Sequence, residues 1–381
     1  MAQDISVIRE QIDEVDSKIV ELIEKRMELS LDIADYKSRT GKAIYDRERE
    51  QEKLEKLGNM AHGKFNAKSV QEIFTQIIAV SKRYQYRAIG DREHFVDGIY
   101  KQIDDIGISK DTKVCYAGVM GAFAESALAA FFGENVMSTN VKDFAEVARM
   151  VEEGKTDYGV LPIENSTAGF VNGIYDLLEK HKLSIVGEQM IQVNQCLLGL
   201  PGTDINKIKT VFSHPQGLMQ SKEFLEDKNW KQVSMGNTAL AAKKVKEDKD
   251  ITQAAIASER AAKIYGLEIL NPRLNVSGEN TTRFVIVSKN REYVKDANRV
   301  SISFSLPHAV GSLYNILAHF IFNDVNMTSI ESVPVSDRQW EYCFFVDFEG
   351  SLSDNDVKNA LMAIRAETEN FQIIGCFKSE K

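Results

Sequence analysis

Residues 5–41 read ISVIREQIDEVDSKIVELIEKRMELSLDIADYKSRTG. Ile5, Ile8, Ile12, Val15, Ile19, Leu22 and Ile23 recur at helical spacing with charges between them, the pattern of one apolar stripe on an α-helix. No proline occurs between Asp4 and Tyr86, so nothing in that stretch forces a helix to stop by removing a backbone donor. Gly41 interrupts the pattern, and helical character resumes over about 46–57. A Gly/Asn/His stretch from Gly58 to Asn66 breaks it again, and a third helix is predicted over about 68–87. Residues 1–90 are therefore expected to form an all-α domain of three helices, the first of them long.

Moving outward, residues 91–112 are charged and weakly periodic and read as a linker or a helical extension. At Lys113 the texture changes. KVCYAG, DYGVLPI, LSIVGEQMIQV, IKTVFS and RFVIVS read as strands, and the segments between them, such as VKDFAEVARMVEEG and NTALAAKKVKED, as helices. That alternation predicts an α/β domain with a largely parallel sheet over 113–290. Over 298–378 the order is strand, helix, strand, strand, helix, strand. This βαββαβ sequence is that of an α+β ferredoxin-like unit. The fold class is thus multidomain.

The 381 residues and 43% apolar content suffice for more than one core. A formal charge of -9 argues against a nucleic-acid partner. Cys115, Cys196, Cys343 and Cys376 are scattered and form no CxxC pair, which predicts a reducing compartment and neither a disulfide framework nor a metal site. The N-terminus is charged from Asp4 onward and has no apolar signal core. No run approaches the roughly 18 apolar residues that span a bilayer. A cytoplasmic protein without a membrane partner is expected.

On the first helix Arg26 and Lys37 lie eleven residues apart. At about 100° per residue they share a face to within about 20°. Arg9, seventeen residues before Arg26, falls about 100° away around the helix. One long helix cannot aim Arg9 and Arg26 at one nearby point, but a second copy of the chain supplying one of them can. Asp46, Arg47 and Glu48 open the second helix, and Ser81 and Gln85 lie four apart on the third. A bundle enclosing Arg26, Lys37 and Arg47 would make a cationic pocket for a small dicarboxylate, since guanidinium forks match carboxylates. The same residues on a solvated helix surface are the simpler alternative.

The order Arg9, Arg26, Lys37, Asp46-Arg47-Glu48, Ser81, Gln85 resembles the all-helical chorismate mutase family over roughly the first 90 residues. The resemblance implies two interlocked chains in which Arg26, Arg47 and Arg9 of the partner chain hold the substrate's carboxylates. It implies that Lys37 and Gln85 donate to the ether oxygen and Glu48 binds the ring hydroxyl, with Ser81 a secondary contact. Rearranging chorismate to prephenate needs neither nucleophile nor cofactor. The enzyme holds a compact conformer and stabilises charge developing on the breaking C–O bond.

Three further motifs sit at strand ends, where ligands collect in open α/β sheets. They are Leu161-Pro162-Ile163-Glu164-Asn165-Ser166-Thr167-Ala168-Gly169, Ser213-His214-Pro215-Gln216 and Asn280-Thr281-Thr282-Arg283-Phe284. Taken singly, Ser166 and Ser213 read as helix N-caps. Together, from about Lys113 to Lys289, the motifs resemble the prephenate dehydratase family. That resemblance implies two lobes like those of a periplasmic binding protein, with the motifs meeting in the cleft. It implies Thr282 as the acid that protonates the leaving hydroxyl, and Asn165, Ser166, Ser213, Gln216 and Arg283 as substrate contacts. A positioned hydroxyl can assist hydroxide departure without carrying charge. Relatives carry hydroxyl residues where this chain has Ala122 and Ala124.

The C-terminal βαββαβ unit, with Gly311-Ser312-Leu313 at its first helix and Glu331-Ser332-Val333-Pro334 on a strand, resembles an ACT domain. The resemblance implies phenylalanine as an effector and side-by-side pairing, hence a homodimer or a tetramer built on dimers. Relatives usually have arginine at the position of Val333. The expected partners are the small molecules chorismate, prephenate and phenylalanine, and no cofactor is expected. Two other readings stay open: a catalytically weakened aromatic-acid sensor, motivated by Ala122 and Ala124, and a dehydratase acting on arogenate.

Overall fold

In the computed structural model, Asp4 accepts the amide of Ser6 at 3.2 Å and starts helix α1 (Ile5–Thr40). The helix stops at Gly41, whose φ of 68° costs glycine nothing sterically. Asp46 accepts the amide of Arg49 at 3.1 Å and starts α2 (Arg47–Met60), and α3 (Lys64–Ile89) follows. The expected break at Gly58 lies inside α2. A Cβ at that position would meet Gln71 Nε2 of α3 at 2.5 Å, so glycine is there for close helix contact rather than for a turn. The described residues are 4–89, 96, 98–274, 280–306, 309–334 and 342–379. They fall into two compact units, 1–99 with 302–373 and 100–301 with 374–381.

In the first unit the C-terminal half of α1 packs on α3 and buries Ser30 and Ala34. The apolar stripe of its N-terminal half stays exposed, with Ile5 at 64% and Leu22 at 68% of full exposure.

The second unit begins earlier than the sequence suggested. Strand β1 (Lys101–Ile103) pairs in parallel with 292–294, and Tyr100 is buried with its hydroxyl 2.7 Å from Ser184 Oγ. Residues 100–112 are therefore built into this unit and are not a free linker. A first lobe follows with β2 (Lys113–Ala117), α4 (Phe123–Phe132), β3 (Met137–Val141), α5 (Phe144–Glu152), β4 (Tyr158–Asn165), β5 (Gly169–Phe170), α6 (Ile174–Lys180) and β6 (Ser184–Gln192). The chain then builds a second lobe from β7 (Cys196–Gly199), β8 (Thr210–Ser213), α7 (Pro215–Gln220), α8 (Lys222–Glu226), β9 (Lys231–Ser234), α9 (Thr238–Asp248), β10 (Gln253–Ala257), α10 (Glu259–Tyr265) and β11 (Glu268–Asn271). It returns to the first lobe as β12 (Thr281–Ser288) and ends with β13 (Glu292–Val294).

The first lobe's strands run in the order β6-β12-β4-β2-β3 and the second lobe's in the order β11-β7-β10-β8-β9. Both sheets are mixed, not largely parallel. The returning β12 enters antiparallel between β4 and β6, and β7 pairs antiparallel with β10 and β11. The alternating strand–helix pattern hides this, because a strand arriving from the other lobe is not bound by the crossover geometry that makes neighbours parallel. Each lobe has its own core: Val114, Tyr116, Leu128, Phe284 and Ile286 in the first, and Leu197, Val211, Leu225 and Ile256 in the second.

The C-terminal body, which belongs mainly to the first unit, comprises β14 (Arg299–Ser305), α11 (Ser312–Phe322), β15 (Met327–Pro334), β16 (Tyr342–Glu349), α12 (Asn355–Glu367) and β17 (Glu369–Phe377). Its strand order is β15-β16-β14-β17.

Candidate active sites

Helices α1, α2 and α3 enclose a cavity of about 840 Å³. Arg26 and Lys37 line it from α1, as their shared face requires, and Ser81, Lys82 and Gln85 line it from α3. From α2 and its cap come Asp46, Arg49, Glu50 and Lys53. Arg47 and Glu48, expected here from the sequence, are exposed and outside the lining. Asp46 is the N-cap, so the inward row runs i+3, i+4, i+7 from it, and positions 47 and 48 turn outward. That periodicity, counted from the cap, was the signal available in the sequence. Arg9 sits on the exposed N-terminal half of α1 and does not reach this cavity within one chain.

Arg26 Nη1 donates to the carbonyl of Ile77 at 3.2 Å and to the hydroxyl of Ser81. Burial lowers its pKa from the ordinary arginine value. Lys37 Nζ donates to the carbonyl of Ile44 at 2.6 Å. Burial pulls its pKa down, against the opposing pull of Asp46. Burial pushes Glu50 up, against the pull of Lys82. Gln85 is 7% exposed, and its Oε1 has no hydrogen-bond partner among the described residues.

The second candidate site lies where β4 ends beside the start of β12. Thr282 pairs with Asn165 in the strand register. Asn165 Nδ2 donates to Thr282 Oγ1 at 2.9 Å and to Asn280 Oδ1 at 2.8 Å. Its Oδ1 accepts from the Ala168 amide at 3.0 Å and the Thr167 hydroxyl at 2.8 Å, so both ends of the amide are held. Ser166 Oγ accepts the Thr281 amide at 3.0 Å. Asn280 is 1% exposed, and its Nδ2 has no hydrogen-bond partner among the described residues. Its place beside Thr282 was visible in the motif, but its role depends on the cross-strand contact to Asn165.

Three expected contacts stand elsewhere. Successive strand residues face opposite sides of a sheet, so Arg283 points away from Thr282. It is 5% exposed, and its Nε donates to Glu188 Oε2 at 2.7 Å. Ser213 is fully buried in the second lobe, where its hydroxyl donates to the Ile256 carbonyl at 2.7 Å. Gln216 lies in the first turn of α7, its amide on His214 Nδ1 at 3.2 Å. No described hydrogen bond ties Ser213 or Gln216 to the Asn165–Thr282 cluster.

Between the lobes, Ser258 Oγ donates to the Gly121 carbonyl at 2.9 Å and Tyr265 to the Met120 carbonyl at 2.7 Å. Arg260 reaches Glu125 at 3.3 Å and Glu134 at 2.8 Å. Gly121 lies so close that a Cβ would meet Ala261 Cα at 2.9 Å. Ala124 faces the apolar core of the first lobe beside Tyr116 and Leu128, where a hydroxyl would meet no ligand.

In the C-terminal body Gly311, with φ of 82°, caps α11 and is followed by Ser312 and Leu313. Glu331 and Ser332 lie on β15 opposite Phe345 and Phe344. No hydrogen bond among the described residues joins these two groups.

Among the described residues no group of acidic, cysteine or histidine side chains could hold a metal, and no helix is long and apolar enough to cross a membrane. The family described as chorismate mutase type II matches residues 8–86, and that described as prephenate dehydratase matches residues 114–292. The bifunctional chorismate mutase/prephenate dehydratase of Buchnera aphidicola subsp. Schizaphis graminum is 33% identical, over 99% of this chain and 97% of its own length. A crystal structure of a prephenate dehydratase in complex with L-Phe, from Arthrobacter aurescens, is 25% identical with a TM-score of 0.66, over 70% of this chain and 90% of that one. A structure described as GqqA, a novel type of quorum quenching acylase, is 28% identical with a TM-score of 0.65, over 70% of this chain and 98% of that one.

Proposed function

The chain belongs to the bifunctional chorismate mutase/prephenate dehydratases, and on that premise we propose that its helical cavity rearranges chorismate to prephenate and its Asn165–Thr282 cluster converts prephenate to phenylpyruvate. The observation that carries this reading is the helical cavity lined by Arg26, Lys37 and Arg49, cations that suit a small dicarboxylate.

Arg26 and Arg49 hold carboxylates, joined by Arg9 of a second copy of the chain. Lys37 and Gln85 donate to the ether oxygen as its bond to carbon breaks, and Glu50 accepts from the ring hydroxyl. The donors are already oriented, so charge that develops in the transition state is met without reorganisation. The exposed stripe on α1 is the surface that a second copy covers in a homodimer, which removes apolar area from water and delivers Arg9.

In the dehydratase cluster Asn165 donates to Thr282 Oγ1, which leaves the threonine's own hydrogen free to point at the substrate. That hydrogen goes to the departing hydroxyl, which leaves as water, while carbon dioxide is lost and the ring becomes aromatic. The Asn165 amide then faces the oxygen that has lost its proton, which it regains from solvent before the next turnover. Asn280 Nδ2 is a second buried donor for the substrate. Arg283, held by Glu188 behind the strand, supports β12 and is not proposed to touch the substrate.

The C-terminal body is proposed to be a ferredoxin-like ACT domain that binds phenylalanine, the ligand named for the Arthrobacter aurescens structure, at Gly311–Leu313 and Glu331–Ser332. Four scattered cysteines with no CxxC pair favour a cytoplasmic site of action.

The test is incubation of the purified chain with chorismate. Prephenate and then phenylpyruvate are expected, and absence of both overturns the proposal. Prephenate is expected to turn over faster than arogenate when each is supplied alone.

A further inference from the structure

Lys82 is 7% exposed and is shared by two carboxylates. Its Nζ lies 3.2 Å from Glu50 Oε2 on α2 and 2.8 Å from Glu367 Oε1 on α12, the last residue of that helix. It also stands 4.7 Å from the ring centre of Tyr45. His319 of α11 approaches Glu367 Oε1 with Nε2 at 3.4 Å. A small cavity of about 40 Å³ borders Glu50, Lys82, His319 and Glu367, so this group is not locked by packing on every side.

Two carboxylates around one ammonium leave an unbalanced negative charge when His319 is neutral. Burial opposes the charge on Lys82, yet Glu367 and Glu50 outweigh it and hold its pKa above the ordinary lysine value. Burial likewise works against the Glu367 carboxylate, yet His319 and Lys82 keep its pKa below the ordinary one. Groups coupled this closely titrate as a set, so removing one member shifts the others.

We propose that Glu367 makes the C-terminal body a working part of the mutase site. It competes with Glu50 for Lys82 and so sets how readily Glu50 is present as the carboxylate that receives the substrate's ring hydroxyl. Lys82 and Glu367 are positioning residues in this scheme, and neither touches the substrate. The inference rests on reading the helical cavity as the mutase site. The groups facing Glu50 are Lys37 from α1, Tyr45 ahead of α2, Lys82 and Tyr86 from α3, His319 from α11 and Glu367 from α12. Asp46, Arg49 and Lys53 share its own element.

The pH profile of mutase kcat/KM in the full chain tests this with variants of opposite sign. Glu367→Gln removes the competing carboxylate and leaves Lys82 to Glu50, so Glu50 ionises more easily and the acid limb moves to lower pH. Lys82→Met removes the cation, so the acid limb moves to higher pH. Lys82→Arg keeps the charge and restores the wild-type limb. A displacement of about half to one pH unit, read on the limb as about a threefold to tenfold change in kcat/KM, is expected. Dehydratase activity is unchanged in Glu367→Gln. Limbs that move the same way in both variants, or not at all, overturn the inference. If Lys82→Met does not fold, a downward shift in Glu367→Gln together with none in Lys82→Arg is still required. A wild type without mutase activity refutes the reading of the cavity and this inference with it, whereas an active wild type with unmoved limbs refutes only the inference.

Discussion

The cavity among α1, α2 and α3 is lined by Arg26, Lys37, Arg49, Lys53 and Lys82, whereas the cluster at the ends of β4 and β12 consists of neutral groups, Asn165, Ser166, Thr167, Asn280 and Thr282. Nearby charges in the second region, Arg283 and Glu188, are paired with each other on the far side of the strand. The difference follows the chemistry proposed for each. A rearrangement with no proton transfer needs a dianion held and a developing negative charge met by fixed donors. A dehydration needs a proton delivered to a leaving group, and a neutral hydroxyl with its lone pair already occupied supplies it from a resting site that holds no buried charge.

The strongest blow to this contrast would come from Thr282→Ala. Prephenate dehydration is expected to fall by about 10²–10⁴, the range for loss of a positioned acid, while the mutase rate stays at wild type. Unchanged dehydration in a coupled phenylpyruvate assay would return the cluster to a structural role. Next, Lys37→Ala is expected to cost the mutase about 10²–10³ in kcat and leave dehydration intact. A third comparison sharpens the geometry of α2. Arg49→Ala should reduce mutase kcat/KM by about tenfold to a hundredfold, about the 1.5–3 kcal/mol of a hydrogen bond to a charged group, whereas Arg47→Ala should stay within about twofold. Equal losses would put the inward row two residues earlier.

Smaller effects probe the margins. Asn280→Ala removes the acceptor of one Asn165 hydrogen bond and should slow dehydration about tenfold, with a similar drop in thermal midpoint to that of Asn165→Ala. Finally, Lys37 must be protonated to donate, and burial depresses its pKa. Mutase activity should therefore fall as pH rises through a value below the ordinary lysine pKa of about 10.4. An alkaline limb that Lys37→Arg does not displace would assign that titration to another group.

Much of the helical region was legible because helical spacing is a local property. Arg26, Lys37, Ser81 and Gln85 line one cavity, and their spacing alone placed each pair on a face. Arg47 and Glu48 turn outward because the N-cap at Asp46, not the run of consecutive motif residues, sets which positions of α2 face the cavity. The strand region was less legible. Thr282 and Arg283 are adjacent in the chain, yet the pleat sends them to opposite faces, and only the partners Asn165 and Glu188 reveal which face is which. Ser213 looked like Thr282 in the sequence, a hydroxyl at a strand end, but its hydroxyl is spent inside the second lobe on the Ile256 carbonyl.

From the sequence alone came the three helices, the βαββαβ order of the C-terminal body and the motif positions, because periodicity, caps and local hydrogen-bond chemistry act within a few residues. The inability of Arg9 to meet Arg26 in one chain also came from that level, as a matter of angle. Tertiary structure decided the antiparallel entry of β12 between β4 and β6, which brings Asn165 to Thr282 across 117 residues. It also decided the sharing of Lys82 between Glu50 and Glu367, which are more than 300 residues apart in the chain. Such contacts depend on which surfaces come together when apolar faces are buried, and no local pattern in either segment encodes its distant partner.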